Sequence, residues 1–484
     1  MKKKETGVLR RFTAFLFVLV LCASLLCGCG GSENDNNKMQ KSTALIVSDV
    51  HITADDETNT RHLIKTLEYV RDNDIDVVLF NGDLVSWAAE ELYDKADRCF
   101  ETVFGSVAVE DRPEFLFNMG NHEFYPNNAC RAEDTIYPIQ YEDFVTFANK
   151  WMKEPIGEDE NIYVRKIKGI NYVVAFPGSS RWASIGQYQN LDFAILDDIL
   201  SEITEEGTPC IVATHWAWGY TYGGASYGMP NTYIVDDMTA LLAEYPSVIN
   251  VTSHTHFSNL HERSLDQTDY TTVNVGPHCY AKFVSAVEDD ENGELIDYMN
   301  IESRRIVNDS QASELFWGGA THFGIKMDFG EEEVTVKRFD IGKGKEYGHG
   351  SWTVPYGITK ENKHDKFYYE AGEREGTPLN FAENAELSVT PTAGGSKITL
   401  NFADVEEYYA VEGYKIEIYD SADELVKKTW WQSLFWANLE RKSEYTVTIN
   451  MTDVTTDGEE FTVKVYPMDF FGHYNDPITE TFTN

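Results

Sequence analysis

The chain has 484 residues, too many for one ordinary core, so two or three domains are expected. It carries 80 acidic against 40 basic residues, a formal net charge of -40 spread along its length. A surface of that sign repels a nucleic-acid backbone, and no local basic patch overrides it, so nucleic acid is not expected as a partner.

Met1-Lys-Lys-Lys, with Arg10 and Arg11, precedes an apolar run from Phe12 to Leu26 that is short for a membrane span and reads as a secretory signal. Leu26-Cys27-Gly28-Cys29 resembles a bacterial lipobox, in which the cysteine is lipidated and the signal is then removed before it. The resemblance implies a signal peptide over 1–28, lipidation at Cys29, a polar linker over 29–42 and a chain anchored on the outer side of a bacterial membrane. Of the seven cysteines, Cys99, Cys130, Cys210 and Cys279 remain beyond the leader and anchor. They are scattered without Cys-x-x-Cys spacing, and which of them pair in an oxidising compartment is not readable.

From residue 43 onward, apolar β-branched runs end on polar, metal-binding side chains. Thr43-Ala-Leu-Ile-Val-Ser-Asp49-Val-His51 is the first, Asp76-Val-Val-Leu-Phe-Asn-Gly82-Asp83 the second, and Phe115-Leu-Phe-Asn-Met-Gly120-Asn121-His122-Glu123 the third. Leu63, Ile64, Leu67 and Val70 mark one face of a helix between the first two, and residues 89 to 103 read as another. Strand, helix, strand argues a parallel sheet with right-handed crossovers, whose carboxyl edge carries the site. A helix is expected around 141–151, and Lys168-Gly169 separates the two strands of a hairpin. Leu191 to Ile203 reads as a helix leading to Cys210-Ile-Val-Ala-Thr-His215, and Val248-Ile-Asn-Val-Thr-Ser-His254-Thr-His256 is the last such run. His-x-His at a strand end puts both rings on one side of the pleat, about 7 Å apart at Cα, so two neighbouring ions could each take one. The segment Trp216 to Pro230, rich in Gly and aromatics, reads equally as a substrate-contacting loop or a packed surface loop. His278 reads as structural.

The order Asp-x-His, Gly-Asp, Gly-Asn-His-Glu, His, His-x-His resembles the calcineurin-like metallophosphoesterase superfamily. The resemblance implies an α/β four-layer αββα sandwich over 43–357. It also implies two divalent ions, manganese, iron or zinc, no sulfur ligand having been found to narrow the choice. Asp49, His51, Asp83 and His256 would hold one ion, and Asp83, Asn121, His215 and His254 the other. Asp83 would be the bridge, and a hydroxide between the ions would attack phosphorus. His122 matches the family's general acid, and Glu123 would orient a ligand. Ser253 stands where the family often has glycine. Leu84-Val-Ser86-Trp87 departs from the serine/threonine phosphatase continuation and lacks the tyrosine ligand of purple acid phosphatases. The expected substrate is a phosphomonoester or phosphodiester of a small or envelope-derived molecule.

Residues 358–385 lose periodicity and read as a linker. Over 386–484, runs such as Lys397-Ile-Thr-Leu-Asn-Phe and Gly413-Tyr-Lys-Ile-Glu-Ile-Tyr alternate apolar with polar, the pattern of an all-β sandwich. Phe461 to Met468 with Asp469-Phe-Phe-Gly472 resembles the penultimate strand and turn of a fibronectin type III module, with Phe402 in place of its early core tryptophan. A spacer, or a module touching wall carbohydrate, is the expected role. The rival reading is a non-catalytic surface-binding lipoprotein that keeps a metal site. The intact ligand positions and His122 argue against it.

Overall fold

The computed structural model describes residues 41–125, 138–157, 160–176, 193–204, 209–217, 221, 233–279, 322–347, 350–369, 376, 378–433, 444–452, 454 and 460–483. The leader, Cys29, Cys130 and most of the aromatic loop from Trp218 to Pro230 lie outside the described residues. No helix among the described residues is long and apolar enough to cross a membrane.

The chain begins with three parallel strands, β1 (Ser42–Val47), β2 (Val77–Asn81) and β3 (Glu114–Asn118), joined by helices α1 (Thr58–Asp72) and α2 (Glu90–Phe104). Every residue of β2 is buried, as a run without polar alternation demands. The helices bury one stripe each, Leu63, Leu67 and Val70 on α1 and Leu92, Ala96, Cys99, Phe100 and Val103 on α2, and Phe100 meets the rings of Phe80, Phe115 and Phe117. Glu90 and Glu91 in the first turn of α2 favour its positive end.

A second sheet follows. Helix α3 (Pro138–Trp151) leads to β4 (Ile162–Ile167) and β5 (Ile170–Ala175), the expected hairpin, whose turn holds Lys168 and Gly169 at φ 51° and 90°. Then come α4 (Phe193–Thr204), β6 (Cys210–Ala213), α5 (Tyr233–Ala243), β7 (Val248–Thr252), β8 (Leu265–Asp266) and β9 (Thr271–Asn274). The order is β4-β5-β6-β7-β9-β8, parallel from β5 through β9. Leu196 and Leu200 of α4 and Met238 and Leu242 of α5 pack over Val173, Val212 and Val248 on its outer face. Four short strands return the chain: β10 (Phe323–Phe329), β11 (Glu333–Asp340), β12 (Lys345–Glu346) and β13 (Trp352–Pro355). β10 and β11 are the expected closing hairpin, and β10 pairs antiparallel with β1 to complete the first sheet.

The two sheets face each other. Tyr163 of β4 donates its hydroxyl to the Phe117 carbonyl at 2.8 Å, and the Tyr172 ring meets Phe329. At the carboxyl edge, Asn81 Nδ2 donates to the carbonyls of Thr214 and Val251 at 3.1 and 3.2 Å, and Asn118 Nδ2 donates to Asn81 Oδ1 at 2.9 Å. Helices on both outer faces and two sheets between them make the four-layer α/β sandwich that the resemblance implied.

The C-terminal region is antiparallel. One sheet is β14 (Leu387–Pro391), β15 (Lys397–Ala403) and β18 (Glu444–Asn450). The other orders β17 (Leu425–Gln432), β16 (Val411–Tyr419), β19 (Glu460–Asp469) and β20 (Ile478–Thr483). β17 and β20 were not anticipated from the sequence, since Leu425-Val-Lys-Lys-Thr and Ile478-Thr-Glu-Thr alternate weakly. Phe402 is fully buried against Tyr414 and Tyr445, the core position expected of it. Within 358–385, Lys363 pairs with Asp269, Tyr368 N–H reaches Gln267 Oε1, and Leu379 enters the sandwich core.

Candidate metal centre

Five strands that end at the shared edge, β1, β2, β3, β6 and β7, are each followed there by a ligand-type side chain. The registers explain why: Val47 pairs with Phe80, Asn81 with Asn118 and Ala213 with Val251, so the loops leave both sheets nearly level. In those loops the backbone is unusual. Asp49, His51, Asp83, His254 and His256 have φ between 51° and 65°, and only Lys168 and Asp423 share that left-handed region among other described non-glycine residues. A non-glycine residue held there costs of order 1–3 kcal/mol, and such strain gathers where side-chain aim matters more than stability.

Hydrogen bonds lock the turns. Asp49 N–H donates to the Gly82 carbonyl and His51 N–H to the Asp83 carbonyl, at 3.1 and 3.0 Å. A Cβ on Gly82 would stand 2.4 Å from His215 Nδ1, and one on Gly120 2.1 Å from Asp83 Oδ1, so both positions require glycine.

The result is two groups of donors sharing Asp83. Ligand atoms of Asp49, His51, Asp83 and His256 lie within 4.8 Å of one another, and so do those of Asp83, His215 and His254. Asp83 Oδ2 is 3.2 Å from His215 Nε2 and 3.7 Å from His51 Nε2, while Asp49 Oδ1 is 3.1 Å from His256 Nε2. Asn121 is buried beside them, donating Nδ2 to the Tyr125 hydroxyl at 3.0 Å. His215 Nδ1 faces the Asn81 carbonyl at 2.7 Å; the carbonyl can only accept, so Nδ1 carries a proton and Nε2 is the ring nitrogen that faces Asp83. The Ser253 hydroxyl is 3.1 Å from the carbonyls of both Asn81 and His215, so a side chain at this position is built into the turn rather than merely tolerated. His278 lies elsewhere, against Thr66 and His322, in keeping with a structural role.

Charge and burial oppose each other here. Burial would raise the Asp83 carboxyl, but the charges of His215 and His122 outweigh it and hold it well below the carboxylate range. Asp49 is likewise lowered: burial works against this, and the charge and hydrogen bond of His256 win. Burial would depress the His215 imidazole, yet Asp83 pushes it up to about 9. Burial, with His122 next, takes His51 well below its usual value. Burial and the negative charge of Asp83 push Glu123 up to about 7, against the N–H groups that it accepts.

The calcineurin-like phosphoesterase family model matches residues 42–258. The chain carries a calcineurin-like phosphoesterase domain. By class such a domain is a hydrolase acting on phosphoester bonds. Among solved structures, a purple acid phosphatase from yellow lupin (Lupinus luteus) seeds is similar at 14% identity and TM-score 0.43, over 71% of this chain and 58% of that one. A dimetal phosphatase from Danio rerio is similar at 13% identity and TM-score 0.40, over 65% and 99%. A fibronectin type III domain of human collagen XX is similar at 13% identity and TM-score 0.17, over 23% and 100%. The chain thus spans 58% of the length of the lupin enzyme. No curated protein matches the chain.

Two divalent ions fit the phosphoesterase domain's donors. Asp49 Oδ2 and Asn121 Oδ1 are buried without a hydrogen-bond partner, two oxygens at one spot that bound cations would satisfy. His51 Nε2 and His256 Nε2 stand 3.2 Å apart, two ring nitrogens converging on one point. Imidazole, amide and carboxylate together suit manganese, iron or zinc.

Trp216, the first aromatic of the loop that reads equally as substrate-contacting or packed, stacks on the His254 ring at 4.4 Å and 17° and so lies against a donor. One residue beside the centre has no signal in the sequence. Cys279 brings its sulfur within ligand distance of His51 and His256. A lone cysteine after Gly-Pro-His gives no signal of that, because the two histidines reach it only through the fold.

Proposed function

We propose that this protein hydrolyses phosphomonoesters or phosphodiesters at a dinuclear metal centre, the domain spanning about residues 43–357. The observation that carries the reading is the position of Asp83, whose carboxylate is common to both donor groups. Asp49, His51, Asp83 and His256 would hold one ion, and Asp83, Asn121, His215 and His254 the other. Divalent ions there supply Lewis acidity for the phosphoryl oxygens and lower the pKa of water.

The chain's own groups do the rest. Asp83 accepts the His122 backbone N–H at Oδ1, 2.9 Å away, leaving Oδ2 toward the histidines. His122 Nδ1 donates to the Ser86 carbonyl at 2.7 Å, which turns Nε2 to the centre, 3.9 Å from Asp83 Oδ2. Its side chain is 19% exposed, in reach of a leaving group. In its protonated form it donates the Nε2 proton to the departing oxygen.

The test is hydrolysis of a nitrophenyl phosphomonoester and the matching diester by the manganese-loaded protein. Turnover that vanishes in Asp83→Asn supports the enzyme, and the rate ratio names the ester class. No turnover on either ester with two ions bound would count against it. We place the protein on the outer side of a bacterial membrane through lipidated Cys29, supported by the lipobox-like Leu26-Cys27-Gly28-Cys29. Cys29→Ser should release it from membranes, and retention would sink the assignment. The substrate class is a phosphorylated small or envelope-derived molecule, and the C-terminal sandwich acts as a spacer or carbohydrate-touching module.

A further inference from the structure

Cys279 ends the turn Val275-Gly276-Pro277-His278 that follows β9. Its sulfur and the ring nitrogens of His51 and His256 lie within 4.8 Å of one another, and the same two histidines belong to the first donor group with Asp49 and Asp83. The thiol is buried, 3% exposed. Its turn is fixed to the strand carrying the ligands, since His278 N–H donates to the Ser48 carbonyl at 2.9 Å, one residue before Asp49. Gly276, at φ 76°, packs so close to Asn259 that a Cβ there would stand 3.1 Å from it, so the turn has one available course. An independent sign that this corner awaits a cation is Asp49, fully buried, with Oδ2 lacking any hydrogen-bond partner.

We propose that Cys279 is a sulfur ligand of the ion held by Asp49, His51, Asp83 and His256, and that this ion is a thiophilic divalent cation such as zinc. The inference rests on the dinuclear reading and deepens it. On binding, the S–H bond is replaced by a sulfur–metal bond and the proton leaves to solvent, so apoprotein takes up the ion with proton release. Nitrogen and oxygen donors alone do not choose among manganese, iron and zinc. A thiolate does, because soft sulfur favours zinc over the harder manganese. The two sites then differ, one with sulfur and one with the Asn121 amide.

The experiment reconstitutes the full-length, metal-stripped protein with cobalt(II) and records its absorption spectrum. Two cobalt ions per chain and a near-ultraviolet thiolate-to-cobalt charge-transfer band are expected. Cys279→Ser should lose the band at saturating cobalt, while Cys210→Ala keeps it. Zinc affinity in Cys279→Ser should fall at least about tenfold, with manganese affinity changed less. Two bound ions without the band, or a band that survives Cys279→Ser, overturns the sulfur ligand alone. Fewer than two ions in the wild type overturns the dinuclear reading and the inference with it. A measurement that needs no variant is alkylation of Cys279 followed by mass spectrometry. At least tenfold slower labelling in the zinc-loaded than in the stripped protein is expected, and equal rates overturn the proposal.

Discussion

Glu123 Oε2 accepts the backbone N–H of Asp83 at 2.9 Å and that of Gly120 at 2.7 Å. Its other oxygen accepts Leu84 and Val85 at 2.8 and 3.3 Å, so one buried carboxylate ties the loop after β2 to the loop after β3. Glutamine is not a conservative replacement here, because its NH₂ would face N–H groups that need an acceptor. Each buried donor left unmade costs about 1–3 kcal/mol. Both Glu123→Gln and Glu123→Ala should therefore lose at least ~2 kcal/mol of stability, and metal affinity should fall about 10–100-fold as the two loops drift. Denaturant melts in chelator and calorimetric titration with manganese check this. Wild-type values in both would mean that the loops hold themselves.

Asp83 and His122 should separate cleanly. Asp83→Asn removes charge common to both donor groups, so it should lose more than one ion per chain together with turnover. His122→Ala leaves the donors in place and should keep two ions, while turnover on an alkyl phosphate falls about 10²–10⁴-fold and a nitrophenyl ester suffers less. Metal analysis beside steady-state kinetics distinguishes them. An alkyl ester hydrolysed at the wild-type rate by His122→Ala would remove the general-acid role.

Why so much of the centre could be read in advance follows from how strands end. Val77 to Phe80 is apolar, in a strand buried on both faces, so Asp83 three residues later had to lie at an edge. The same logic placed Asp49, Asn121, His215 and His254. What stayed hidden depends on long-range approach. Cys279 comes near His51 across more than two hundred residues of chain, and although Glu123 was read as orienting a ligand, the N–H groups that it accepts carry no sequence signature. The left-handed turns at Asp49, His51 and His256 were equally illegible, since none of these residues is the glycine that such a conformation usually requires. In the sandwich, β20 escaped because its inner residues are few: Phe482 is buried, while Glu480 and Thr481 are exposed.

Stability should fall on the acid side of neutrality through His322. Its Nε2 is 2.9 Å from Thr66 Oγ1, and the rings of His62 and His278 lie 4.5 and 4.2 Å away. Burial first, then the neighbouring His278 and His62, hold this imidazole well below 6.5. The unfolded chain takes up the proton near the ordinary value, and the folded chain only at lower pH. The contribution is therefore fully present above about 6.5 and lost as pH falls below it. His322→Gln should flatten the decline in urea midpoint between about pH 6.5 and 5 relative to wild type. An unchanged slope would show that His322 does not resist protonation.

The sandwich should stabilise the loop that follows His256, the last residue of the two donor groups that share Asp83. His261, five residues after His256, is fully buried, with Nε2 3.5 Å from Glu412 Oε1 of β16 and its ring 4.5 Å from Phe470. Arg338 of β11 grips the same loop from the other side, pairing with Glu262 and donating to the Leu260 carbonyl at 3.3 Å. A ring buried to 1% exposure costs about 3–5 kcal/mol when cut to alanine. Phe470 sits in a turn rather than in the sandwich core cluster, so most of that loss should fall on the contact with His261. Phe470→Ala should then turn one calorimetric unfolding transition into two, with metal raising only the phosphoesterase transition. A single transition, shifted by metal as in the wild type, would mean that the contact does not couple the sandwich to the centre.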